Sequence, residues 1–117
     1  MIISPALGLA RTLLLSGDDG FVLVAGAEIV GHIGYRLVQG EFYVHSLRVW
    51  ESFAARTVEM VFKVLSVARG LGFSSVVFHV KEQDLSQDNH GCLKFLRLRR
   101  ASVLRIQGDG VFIRLRI

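Results

Sequence analysis

Between Leu47 and Phe73 the chain reads LRVWESFAARTVEMVFKVLSVARGLGF, and no other stretch constrains the fold as much. The strand-like run Glu41–Trp50 is followed by a short loop, an amphipathic helix and a Gly-Phe step into a second apolar strand. Along the helix, Arg56, Glu59, Lys63, Ser66 and Gly70 recur every three or four residues, which leaves an apolar face of Val58, Val61, Phe62, Leu65 and Ala68. Glu59 and Lys63 have the i,i+4 spacing of a favourable ion pair. Strand, helix and strand in that order predict that Glu41–Trp50 and Ser74–Lys81 lie adjacent and parallel. Their crossover should be right-handed, and their carboxyl ends should splay.

The flanking sequence supplies the rest of a mixed sheet. Ser4 can cap a helix and Pro5 suits its first turn, so a helix is predicted from about Pro5 to Leu15, ended by Ser16-Gly17-Asp18-Asp19-Gly20. Phe21–Ala25 is a short strand, and Ile29–Val38 with Glu41–Val49 form a hairpin about Gln39-Gly40. Beyond the polar loop Glu82–Asp88 come a last helix, Asn89–Leu98, and a closing hairpin of Ser102–Ile106 and Val111–Ile117. The fold class is α+β: a mixed, mostly antiparallel central sheet with helices on both faces. At 117 residues, the chain makes one domain spanning 1–117.

Composition removes several alternatives. Hydrophobic residues are 51% of the chain, too many for disorder. No run approaches the ~20 apolar residues of a membrane span, so no membrane partner is expected. The opening MIISPALGLARTLLL lacks a basic start and carries Arg11 inside its apolar run, which argues against a signal peptide. The single cysteine, Cys92, permits no internal disulfide and fits a small buried side chain in a reducing compartment. The net charge of +4 is unevenly spread: Lys94, Arg97, Arg99, Arg100, Arg105, Arg114 and Arg116 fall at the carboxyl end against one acid, Asp109. They either solvate a face or form a surface for anions. In the second case Arg97, Arg100, Arg114 and Arg116 are the candidate partner surface, with Arg114 and Arg116 on the same strand face as Phe112.

Four segments together resemble the GCN5-related N-acetyltransferases, the GNAT superfamily. GAEIVGHIGYRL resembles the family's antiparallel pair, VHSLRV its fourth strand, and SVARGLGFSSVVFHV the end of the cofactor helix with the fifth strand. Asn89-His-Gly-Cys-Leu-Lys-Phe95-Leu96 has the spacing of the family's N-x-x-A-x-x-F-Y segment. The resemblance covers Phe21 to Ile117. It leaves too little chain before Phe21 for the family's first strand and two helices, so that end is expected to be truncated or rearranged.

The resemblance implies an acetyl-CoA loop of pattern Q/R-x-x-G-x-G/A, whose glycines let backbone amides approach the pyrophosphate at a helix N-terminus. Counted back from Gly72-Phe73, that loop falls on Ser52-Phe53-Ala54-Ala55-Arg56-Thr57; counted forward from Val49 it falls two residues later and ends at Glu59. Neither register holds a glycine. If acetyl-CoA binds, the implied contacts are Leu47, Val49, Ala54, Ala55, Arg56, Thr57 and Asn89. The family's tyrosine, a candidate acid for the departing thiolate, is Leu96 here. No cofactor is therefore expected unless the chain is active, in which case it is acetyl-CoA.

His45 lies on the strand where these enzymes often carry a base, and is the candidate catalytic residue. A two-residue turn at Gln39-Gly40 pairs residues whose numbers sum to 79, setting His45 opposite Gly34 and His32 opposite Leu47 on one sheet face. No third or fourth ligand accompanies the two histidines, so no metal site is expected. Tyr35 and Tyr43 are placed for packing or on the substrate side, His79 for a structural role, and Trp50 for core or a partner contact.

Three functions follow. The first is a degenerate GNAT-like domain acting as a binding or structural module with a protein partner, or as a homo-oligomer. By analogy with short GNAT-like proteins of phages, it would be cytoplasmic or virion-associated. The second is an active acyl-CoA-dependent N-acetyltransferase for an amine of a protein or small molecule. The third is a nucleic-acid-associated protein using the basic carboxyl end.

Overall fold

The computed structural model describes residues 2–81, 102–107 and 110–117. The strands are β1 (Ile2–Pro5), β2 (Asp19–Ala25), β3 (Glu28–Val38), β4 (Glu41–Val49), β5 (Ser75–Lys81), β6 (Ser102–Gln107) and β7 (Gly110–Arg116). Among the described residues the α-helix is α1 (Thr57–Gly70), and 3-10 segments occupy Gly8–Leu13 and Glu51–Arg56. The strands form one sheet in the order β1-β2-β3-β4-β5-β7-β6. All neighbours are antiparallel except β4 and β5, the parallel pair expected across the helical crossover.

That parallel pair registers only at Tyr43 with Val77 and Val44 with Phe78. From His45 onward β4 has no ladder partner on its β5 side among the described residues. The expected splay is therefore present. α1 covers one sheet face with Thr57, Met60, Val61, Val64, Leu65 and Ala68, and its polar positions face outward. This face buries Phe42, Val44, Phe78 and Leu115 against the helix. Phe73 sits edge-on to Phe42 at 5.6 Å. It is aimed there by a Schellman-type stop, in which Gly72 takes φ +90° and the Phe73 amide donates to the Ala68 carbonyl at 3.0 Å.

Several sequence expectations are corrected. The predicted helix Pro5–Leu15 is instead strand β1 followed by the 3-10 segment Gly8–Leu13. Pro5 tolerates a strand end because β1 is at the sheet's edge. The short segment before β2 thus supplies a strand of its own. A smaller cluster of Ala6, Leu14 and Val22 lies on the sheet face opposite α1. Glu59 pairs with Arg56 rather than Lys63, whose ammonium lies 5.3 Å from the Phe21 ring centroid. Phe62, assigned to the apolar face, is 44% exposed, and Met60 and Val64 take the central core positions. The predicted last helix Asn89–Leu98 lies outside the described residues.

Candidate functional site

The β3–β4 hairpin turns through Gln39 and Gly40, both at positive φ as a type I′ turn requires. Pairing obeys the sum of 79 from Val38–Glu41 to Tyr35–Val44, then shifts so that Gly34 pairs with Ser46. His45 is the extra residue of a β-bulge. The expected pairs His45–Gly34 and His32–Leu47 are therefore replaced by Ser46–Gly34 and His32–Arg48. A bulge re-aims side chains and sharpens the local twist. Here it brings both His45 and Ser46 toward one buried carboxylate.

That carboxylate is Asp18, which is 0% exposed just before β2. Arg36 donates from Nε to Asp18 Oδ1 at 2.7 Å, and its Nη2 donates to the Ser16 carbonyl. His45 Nδ1 stands 3.7 Å from the same Oδ1, beyond hydrogen-bond range. Asp18 Oδ2 and Ser46 Oγ are both buried without a hydrogen-bond partner. They converge above Gly34: a Cβ there would meet Ser46 Oγ at 2.8 Å and Asp18 Oδ2 at 3.3 Å. Glycine is favoured there because the polar atoms occupy the space of a side chain and at least Ser46 Oγ would have to shift for one.

Burial lowers the His45 pKa below 6.5; Asp18 opposes that shift, while Arg36 and His79 add to it. The imidazole is neutral at pH 7 and can accept a proton. His32 is lowered as well, by burial and then by Arg48. His32 is part of a separate group at the end of β4. Trp50, 41% exposed, meets His32 edge-on at 6.5 Å and carries the Arg48 guanidinium 5.4 Å from its ring centroid. His32 and His45 therefore point into different surroundings, and among the described residues no group of three metal-ligating side chains forms.

The remaining site residues are dispersed. Tyr35 lies on the core side, stacked on Phe42 at 4.7 Å, and burial raises its pKa, with Asp19 adding to the shift. Tyr43 lies edge-on to both His45 and Phe112, and His79 stacks on Phe112 at 4.6 Å. Leu47 packs against the core, and Val49 is buried in it. Ala54, Ala55 and Arg56 belong to the 3-10 segment Glu51–Arg56, which runs directly into α1. A 3-10 helix commits each amide to the carbonyl three residues earlier, and the Phe53 amide donates to the Trp50 carbonyl at 2.8 Å. Arg56 is ion-paired with Glu59, while Thr57 is fully buried with its hydroxyl unpartnered.

At the carboxyl end, Arg114 is half-buried and ion-paired with Glu41. It braces β7 against β4 rather than projecting freely beside the exposed Arg116. Asn89, Arg97 and Arg100 lie outside the described residues, as do Cys92 and Leu96. Sequence reasoning missed Asp18, which looks like its neighbour Asp19 in a polar turn. The available signal was the alternation His32, Gly34, Arg36, a polar sheet face holding a cation that needs a counter-charge.

No family model and no curated protein matches this chain. Solved structures do. A GNAT family acetyltransferase from Elizabethkingia anophelis with acetyl-CoA bound superposes with a TM-score of 0.75 at 10% identity, covering 99% of this chain and 97% of that one. IAA acetyltransferase from Bacillus cereus gives 0.74 at 12% identity, covering 99% of each. PaiA N-acetyltransferase from Thermoplasma acidophilum, in complex with coenzyme A, gives 0.67 at 10% identity over 84% of this chain. The chain spans only 60% of the Thermoplasma protein's length. With the parallel β4–β5 pair, these likenesses establish that the chain has a GNAT-like fold.

Proposed function

We propose that this chain is a GNAT-fold binding module that has lost the acyl-CoA pyrophosphate site and serves a protein partner. The carrying observation is the 3-10 segment Glu51–Arg56. A pyrophosphate cradle needs free amides and close backbone approach at a helix N-terminus. Here the amides bond within the 3-10 turns, alanine stands where glycine would be needed, and Arg56 is neutralised by Glu59. Its carboxylate adds a repulsive charge beside any anion placed there. The residues at this position do not fit the coenzyme held by the Thermoplasma and Elizabethkingia proteins.

A thermal-shift titration tests the reading. A ligand that binds only the folded state stabilises it by RT ln(1 + [L]/Kd), so acetyl-CoA at about 1 mM should leave the melting temperature unchanged. A rise of several degrees would overturn it.

Two observations favour a second reading, an acyl-CoA-dependent N-acyltransferase. β4 has an open edge toward β5 from His45 onward, and His45 is a neutral base beside a buried carboxylate. In that reading His45 takes the proton of the acceptor amine. The nucleic-acid reading is weakened by the engagement of Arg114 with Glu41.

A further inference from the structure

The C-terminal half of α1 and the end of β7 enclose a groove of about 460 Å³. Its apolar lining comes from Phe62, Leu65, Leu115 and Ile117, and its rim carries Ser66, Arg69 and Arg116, all three exposed. The two guanidinium groups differ from those of the other described arginines. Arg11, Arg36, Arg56 and Arg114 are each tied to a carboxylate, and Arg48 lies over Trp50. Among the described residues, Arg69 and Arg116 have no such partner. Arg69 complements the negative end of the α1 dipole, but that contact does not involve Arg116.

We infer that this groove docks an acidic segment of a partner protein: a short peptide whose carboxylates meet Arg69 and Arg116 while an adjacent leucine- or phenylalanine-sized side chain fills the floor. The inference rests on the binding-module reading and deepens it. Charge complementarity selects the occupant: Asp18, Asp19, Glu41 and Glu59 are each tied to another arginine, and no described acid reaches Arg69 or Arg116. Guanidinium forks match carboxylates well, and the Ser66 hydroxyl supplies a further hydrogen bond. Nucleic acid is a poorer match. Duplex binding commonly engages ~6–10 phosphates, and single strands need a run of aromatic stacking platforms, whereas this groove offers one aromatic ring, Phe62, and two cations.

The test uses the full chain and a fluorescent peptide of alternating glutamate and leucine, with a lysine-leucine peptide and a short oligonucleotide as comparisons. Amide chemical shifts locate the contact, and anisotropy gives the affinity. Glutamate-leucine peptide should shift Ser66, Arg69 and Arg116, and binding should weaken as salt rises. Arg69→Gln with Arg116→Gln should weaken binding by about tenfold, ~1.4 kcal/mol, with the melting temperature lowered by no more than the few degrees that loss of the Arg69 helix-dipole contact explains. Arg48→Gln removes one charge elsewhere and should have no effect.

Absence of saturable binding at low salt would overturn the proposal. Shifts away from the groove, an equal loss in Arg48→Gln, or displacement of the peptide by the oligonucleotide would do the same. Acetyl-CoA added to the same sample tests the underlying reading separately. Shifts confined to Ser52–Thr57 would overturn the binding-module reading and leave the groove result standing.

Discussion

Arg36 and Asp18 are joined by one short hydrogen bond, and the arginine reaches past the carboxylate to the Ser16 carbonyl, tying the turn before β2 to the carboxyl-terminal part of β3. Breaking a doubly buried ion pair costs about 3–5 kcal/mol. The Arg36 side chain is 36% exposed and can rehydrate. Asp18→Ala should therefore cost less, about 2–3 kcal/mol in urea denaturation. A midpoint equal to wild type would show that the pair contributes nothing.

The glycines facing this turn should rank by what a Cβ would strike. At Gly20 the added atom would sit 2.0 Å from the Ile33 carbonyl oxygen, part of the β2–β3 ladder and unable to rotate away. At Gly34 the nearest atom is Ser46 Oγ, on a side chain that can turn. Gly20→Ala should lose more than the ~1–3 kcal/mol typical of overpacking, and Gly34→Ala should fall within it. Pairing Gly34→Ala with Ser46→Ala should recover part of the loss in a double-mutant cycle. Strict additivity would contradict the contact.

Stability should fall in mild acid. His32 and His45 both have folded-state pKa values below the ordinary 6.5. Between 6.5 and those lowered values, the unfolded chain binds protons that the folded chain does not. Their contribution is fully present above pH 6.5 and is lost as pH falls through the lowered values. The urea midpoint should drop between about pH 7 and about pH 5, and His32→Gln with His45→Gln should flatten that part of the curve. A flat wild-type profile, or one unchanged by the double variant, would contradict the assignment.

Thr57 is 0% exposed, and its hydroxyl has no hydrogen-bond partner at the start of α1. Burying a hydroxyl unpaired costs about 1–3 kcal/mol, whereas valine has nearly the same shape and no such group. Thr57→Val should be neutral or stabilising by calorimetric melting. A loss above about 1 kcal/mol would mean that the hydroxyl is satisfied.

The periodicity that predicts α1 and its flanking strands survives in the structure because burial on one face demands it. Arg56, Glu59, Lys63, Ser66 and Gly70 all face solvent, and Gly72-Phe73 ends the helix as its sequence implies. The N-terminal segment was less legible: Ser4 and Pro5 satisfy local rules for a helix start, yet pairing with β2 outweighs that preference. The His45 bulge left no mark on a turn-derived register. It depends on Gly34, Ser46 and Asp18 meeting across three parts of the chain. Likewise, absence of glycine from the loop was readable, but its winding into a 3-10 helix was not.

The central claim, that the start of α1 no longer holds an acyl-CoA pyrophosphate, is tested most directly by calorimetric titration of the full chain with acetyl-CoA. The account predicts no saturable heat, with any affinity weaker than about 1 mM, roughly −4 kcal/mol. Tighter binding that is weakened by Arg56→Ala would contradict it and make the chain an acyl-CoA-binding enzyme candidate.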